Sequence, residues 1–246
     1  MDKGADTSEQ PHHQASHLCR GLPSLLLCTA SAEQDGTEFG HDIAKLVLCL
    51  AGMNTIDLYE LKKEDYKCGR FCYKRAKTRH SRKDEAYFEM RIEPVIMPLI
   101  EKYKADDASP YFFNFHTRYS SADSFCANVN NGIKKICKSI GLPKEKWYSV
   151  YTFRHSWATI AASLDIPKET IAAALGHSSH TVTDIYIEFD YRKVDEANLR
   201  VLNWVLYVYE GGYAPQEVEK HVPTMLSLRE AKSSRNVVGF EFGKMV

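Results

Sequence analysis

Strand-like alternation is concentrated in one stretch of this chain. Between Gly69 and Ile92 the segments GRFCYKRAKT and EAYFEMRI set apolar and polar residues in turn, and RHSRKD between them supplies a polar turn. The rest of the core-forming sequence recurs at helical spacing, as in Ile43, Val47, Leu50 and Ala51. A lone hairpin cannot bury its own apolar face, so it must lie against helices. The fold class that follows is mainly α with a small antiparallel β-hairpin or sheet (α+β).

GMNT breaks the first helix and TIDLYEL begins a short second one. IEPVIMPLIEKYK reads as a short helix, DDASPYFFNF as an extended connector, and SADSFCANVNNGIKKICKSIGL as a longer helix with a glycine near its stop. FRHSWATIAASLD is followed by IPKETIAAALG, with Pro167 an early helical residue and Gly176 the C-terminal cap. VDEANLRVLNWVLYVYE closes the domain as an amphipathic helix. The expected organisation is a polar N-terminal tail or remnant over residues 1–36, a domain over 37–209, and a Gly- and Pro-marked appendage over 210–246.

Lysine plus arginine equals aspartate plus glutamate at 32 each, so net charge points to no polyanionic partner. Distribution does. Residues 61–83 hold Lys62, Lys63, Lys67, Arg70, Lys74, Arg75, Lys77, Arg79, Arg82 and Lys83 against Glu64 and Asp65, a footprint suited to phosphate. The seven irregularly spaced cysteines suit reduced thiols in a cytoplasmic protein, with Cys126 and Cys137 as small core residues. Cys68 and Cys72 have no second pair at zinc-site spacing, so no metal is expected. The apolar runs are too short to span a bilayer, which takes about 20 residues.

LGHSSHTVTDIYI, residues 175–187, allows two readings. With IPKETIAAA before it, it fits a helix-turn-helix, but Asp184, Glu188 and Asp190 give the second helix the wrong charge for a DNA groove. The other reading starts upstream, in YTFRHSWATI. A guanidinium beside the start of a buried helix, here Arg154, needs an anionic partner, and a phosphate would serve. His155 and Trp157 are expected to pack the core and orient it.

At these residues the chain resembles the tyrosine recombinases of phage-integrase type. Tyr151-Thr152-Phe153-Arg154 matches the family's H-x-x-R box with tyrosine in first place. His177 of LGH and Tyr186 of DIYI keep the family's nine-residue step, and Lys77 of RAKT matches the lysine of its β-hairpin. The resemblance runs from about residue 37 to 209. Asn54 of AGMNTIDL stands where the family has an arginine, and GMN-x-x-DL with RHSWAT is most similar to integrases of Bacteroidetes-type conjugative transposons. Too little chain precedes residue 37 for the family's usual N-terminal DNA-binding domains, so a truncated copy is an expectation of this reading.

The resemblance implies the tyrosine recombinase catalytic fold and DNA cutting and rejoining through a 3′-phosphotyrosyl link, with no cofactor. Tyr186 is the implied nucleophile. Arg154 and His177 bind the phosphate, Lys77 protonates the leaving 5′-oxygen, and Tyr151 donates one hydrogen bond. Loss of the first arginine at Asn54 would cost on the order of a hundredfold in rate unless another arginine fills its space, for which Arg75, Arg79 and Arg82 are candidates. Arg75, Arg79, Arg82 and Lys83 are also expected to contact DNA. The implied partners are double-stranded recombination sites, a homotetramer on DNA, and accessory DNA-bending proteins. In that tetramer Arg200, Leu199, Leu202 and Leu206 would face a neighbouring protomer. Two rivals stand beside this reading: a catalytically impaired DNA-binding or regulatory fragment, and a type IB topoisomerase-like relaxase acting at single sites.

Overall fold

The computed structural model describes residues 36–77, 86–177 and 189–208. They form a helical domain carrying one three-stranded antiparallel sheet. The tail expected before residue 36 and the appendage after 209 lie outside the described residues.

Helix α1, Thr37–Cys49, buries nine of its residues, among them Ile43, Leu46 and Val47. Its chain then turns through two left-handed residues, Ala51 at φ 51° and Gly52 at φ 70°, and Gly52 N–H donates to the Val47 carbonyl. The short helix α2, Thr55–Glu60, starts immediately after, with Asn54 as its N-cap. Helix α1 packs on the longest helix, α4, Ala122–Ser139. Gly40 and Gly132 meet at that crossing: a Cβ on Gly40 would lie 2.8 Å from the Gly132 Cα, so only hydrogen fits there.

Strands β1, Tyr66–Lys67, β2, Arg70–Lys74, and β3, Tyr87–Arg91, pair in the order β1-β2-β3, with Phe71 opposite Met90 and Tyr73 opposite Phe88. The hairpin expected from alternation is present. The strands are shorter than the alternating sequence: the Arg75 N–H still donates across to the Ala86 carbonyl at 3.1 Å, but the Ala76 N–H turns to Asp57, and β1 was not foreseen.

Helix α3 is Met97–Tyr103; the other helices are α5, Val150–Ser163, α6, Lys168–Ala174, and α7, Arg192–Asn203. Trp157 of α5 is fully buried, donates to Asn198 Oδ1 of α7 at 2.8 Å, and Asn198 Nδ2 in turn donates to the Cys49 carbonyl at 2.8 Å. One indole and one amide therefore tie α5, α7 and the end of α1. His155 corrects the sequence reading: it is exposed, its ring edge-on to Tyr151 with centroids 4.5 Å apart.

Two further expectations need correction. Leu202 and Leu206 do not form an outward face of α7; both are buried with Val194, Ala197 and Val201 in the chain's own core, and Arg200 donates to the Leu164 carbonyl. Leu202 and Leu206 are consumed internally, whereas Leu199 stays partly exposed. Nor is Arg70 part of a surface footprint. Wholly buried, it gives Nε to Glu89 at 2.6 Å and forks onto Asp195 of α7 at 2.7 and 3.2 Å. Asp195 also accepts the Arg91 N–H at 2.8 Å, so the first turn of α7 is bolted to both long strands.

Candidate active site

Arg154 lies one turn into α5, whose Ser149 cap accepts the Thr152 N–H. It shares the buried face of that helix with Val150, Phe153 and Trp157. Its guanidinium is held by backbone: Nη1 donates to the Gly52 carbonyl at 2.6 Å and Nη2 to the Leu175 carbonyl at 2.5 Å. No carboxylate forks onto it among the described residues. These two bonds use two of the five N–H donors a guanidinium offers. The left-handed turn at Gly52 aims that carbonyl inward, and a Cβ there would press on Arg154 Cα and Cγ, both at 3.1 Å.

Arg75 approaches from the hairpin. Its Nη1 donates to the Gly176 carbonyl at 2.7 Å and its Nε to Asp57 Oδ2 at 3.3 Å, while Asp57 Oδ1 accepts the Ala76 N–H at 2.8 Å. Arg75 is only 7% exposed, its guanidinium turned inward to these acceptors. Of the three arginines offered as substitutes for the one missing at Asn54, it is the one that the described residues bring here. Arg79, Arg82 and Lys83 lie outside the described residues.

Of the two buried guanidiniums, Arg75 alone pairs with the buried carboxylate Asp57, which acts on Arg154 only through space. Desolvation and then repulsion from Arg75 lower the Arg154 pKa, and desolvation raises that of Asp57 against the pull of the Ala76 N–H and Arg75. With Asp57 ionised these three groups carry one net positive charge; with Asp57 protonated they carry two. Either way the arrangement favours an incoming anion.

His177 follows directly on the Gly176 turn. Its side chain is open to solvent, yet partial desolvation, then Arg154 and Arg75, hold its pKa below the usual histidine value. The two histidine-flanking residues Leu175 and Gly176 supply the carbonyls that grip Arg154 and Arg75, so LGH joins both arginines through its backbone. Tyr151 is 59% exposed and lines a depression with Asn54, Thr55, Asn130 and Arg154. Lys77 is exposed just beyond β2. Tyr186, the residue offered as nucleophile, lies outside the described residues. Among those described, no group of three or more His, Cys, Asp or Glu could hold a metal ion, and no helix is long and apolar enough to cross a membrane.

Sequence reasoning missed Asp57 and the carbonyl grips. A signal for the first was present: Asp57 stands three residues after Asn54, one helical turn on, in the same short apolar helix. The carbonyl contacts join residues more than 20 positions apart and had no local signature.

No protein-family model matches the sequence, and no curated protein matches it. Among solved structures the chain is similar to the integrase from mycobacterium phage Brujita, with TM-score 0.48 and 14% identity over 81% of this chain and 60% of that one. It is also similar to XerA recombinase, with TM-score 0.43 and 18% identity over 81% and 66% of the two chains. A third is the Tn1549 transposon integrase in complex with transposon right end DNA, with TM-score 0.46 and 14% identity over 82% and 67%. The chain spans 60% of the length of the phage integrase. What the site does is decided by its own residues.

Proposed function

We propose that this chain is the catalytic domain of a tyrosine-type site-specific DNA recombinase, the integrase of a mobile element similar to Bacteroidetes-type conjugative transposons. The observation that carries the reading is the pair of buried guanidiniums, Arg75 and Arg154, clamped by backbone carbonyls next to His177, with one carboxylate, Asp57, paired to Arg75 alone. A core does not retain that excess of positive charge without an anion to meet it.

In this reading the scissile phosphate of a duplex lies over Arg154, and Arg75 takes the role vacant at Asn54. Two guanidiniums neutralise the charge that builds on the non-bridging oxygens, and their carbonyl clamps fix them before the phosphate arrives. His177 and the Tyr151 hydroxyl each donate a further hydrogen bond. The Tyr186 oxygen attacks phosphorus as its proton leaves to a neighbour, the bond to the 5′-oxygen breaks, and Lys77 delivers a proton to that oxygen. The 3′-phosphotyrosyl product keeps the energy of the broken bond, so a 5′-hydroxyl of another strand reverses the step without a nucleotide or metal. A tetramer on two sites, assisted by DNA-bending proteins, performs the exchange.

The test is a pool of nicked suicide duplexes incubated with the full chain. A covalent protein–DNA adduct that is absent in Tyr186→Phe supports the reading. Binding without adduct would leave the impaired DNA-binding fragment, and relaxation of supercoils without recombinants the single-site relaxase.

A further inference from the structure

The lysines of α4 and of the turn after it are a second strongly charged feature, separate from the hairpin. From Ser124 to Lys144 the sequence holds no acidic residue. The solvent face of this stretch presents Asn128, Asn131, Lys134, Lys138 and Lys144, and Lys146 follows beyond Glu145. Three other lysines meet carboxylates, Lys62 with Glu64, Lys102 with Glu38 and Asp42, and Lys104 with Glu101, while exposed Lys67, Lys168 and Lys193 stand apart from one another in the sequence rather than in one run. Among the described residues no carboxylate lies within ion-pair distance of Lys134, Lys138, Lys144 or Lys146. On a chain with balanced charge, four exposed and unneutralised lysines in thirteen residues concentrate positive potential in one place.

Their placement relative to the candidate site is the second observation. Cys126 and Asn130 line the depression that Tyr151 and Arg154 also line, and Asn130 Oδ1 accepts the Val150 N–H at 2.8 Å where α5 begins. Lys134 and Lys138 continue the same row of α4 at steps of four residues, each step carrying the row about 6 Å further along the helix. The chain then turns at Gly141, φ 72°, and passes Lys144 and Lys146 on its way back to Tyr151. The lysine row therefore leaves the depression on the α4 side, whereas Arg75 enters the site from the sheet. Successive steps of about 6 Å lie within a Debye length of about 8 Å, so the row acts as one continuous field.

We propose that Lys134, Lys138, Lys144 and Lys146 form a track for the DNA backbone flanking the phosphate seat, on the side opposite the hairpin. This rests on the reading of the site as a DNA-cleaving one. Amines and amides without an acid or a large apolar group among Asn128, Asn131, Lys134 and Lys138 suit sequence-independent phosphate contacts. The duplex would be held from two sides of Arg154, by the hairpin and by α4, with the cleaved strand between them.

The experiment measures binding of the full chain to a 30-base-pair duplex by fluorescence anisotropy over a series of salt concentrations. The variant carries Lys134→Gln, Lys138→Gln, Lys144→Gln and Lys146→Gln; the control carries Lys104→Gln and Lys168→Gln. Each lost phosphate contact removes roughly 0.9 from the slope of log affinity against log salt. A slope reduced by about 2 to 4 in the variant, with the control reduced by less than about 1, supports the track. An unchanged slope in the variant, or an equal fall in the control, overturns it while the wild-type adduct with nicked DNA still stands. Wild-type protein that neither binds duplex nor forms adduct overturns the track and the cleavage reading together.

Discussion

Gly176 and Arg75 are in direct contact across the site: the Gly176 carbonyl accepts Arg75 Nη1 at 2.7 Å, and a Cβ on Gly176 would fall 2.5 Å from that nitrogen and 2.8 Å from Nε. Gly176 also has φ 59°, so alanine there is strained twice, by the backbone and by the guanidinium it would displace. Gly176→Ala should lower stability by about 1–2 kcal/mol from the backbone term alone. It should also slow adduct formation with nicked DNA by more than its folded fraction accounts for. Denaturant titration and single-turnover cleavage measure the two effects; full cleavage rate in the folded variant would detach Arg75 from the chemistry.

Arg75 itself separates the structural and chemical roles. Arg75→Ala leaves Asp57 buried with one partner fewer, a loss of about 3–5 kcal/mol for a broken buried pair. Arg75→Ala/Asp57→Ala removes both and should recover much of that stability, yet cleavage should stay on the order of a hundredfold slow, because a donor to the phosphate is still missing. Recovery of rate in the double variant would show that Arg75 serves only Asp57.

His177 carries the pH dependence. Its folded pKa lies below the unfolded value of about 6.5, so the unfolded chain takes up the proton first. The sign is that His177 costs stability as pH falls below about 6.5, down through its folded pKa, and contributes nothing above that window. An NMR titration should find the His177 midpoint below 6.5 and moving upward in Arg75→Gln, which removes one of the repelling charges. A midpoint that does not move, in a variant that remains folded, counts against the proximity of the two groups.

The ion pairs of this chain should differ sharply in worth. Asp195→Ala strands the wholly buried Arg70 and removes the acceptor of the Arg91 N–H, a loss of about 3–5 kcal/mol. Arg192→Ala removes a pair with Asp190 whose side chains stay 49% and 30% exposed, and should cost no more than about 1 kcal/mol. Urea midpoints of the two variants test the contrast; equal losses would contradict it.

Thiol reactivity follows burial. Cys49 and Cys72 are buried, and desolvation pushes their pKa values up to about 12 and about 11, whereas Cys68 is exposed on a left-handed turn. A thiol reagent at neutral pH should label Cys68 in the native protein and reach Cys49 and Cys72 only on unfolding, as mass spectrometry of labelled peptides would read out.

By itself the sequence determined the helical and strand elements and named candidates for the site. Period and stop signals located the helices and the hairpin because those signals are local: alternation from Gly69 to Ile92, helical spacing around Ile43 and Val47, and the glycine stop at Gly176 each act within a few residues. Arg154 stood out as a guanidinium at the start of a buried helix, and the resemblance to tyrosine recombinases implied His177 and Lys77. Only the tertiary structure decided which arginine joins Arg154. Arg70 and Arg75 stand five residues apart in one basic run, yet Arg70 is fixed on Asp195 of α7, and Arg75 turns inward to Asp57 and the Gly176 carbonyl. It decided likewise that Leu202 and Leu206 serve the chain's own core. Composition carries no record of these choices, because a charge is priced by what surrounds it: in water both arginines are alike, and only packing makes one a bolt between sheet and helix and the other a link from the sheet to Asp57 and the Gly176 carbonyl.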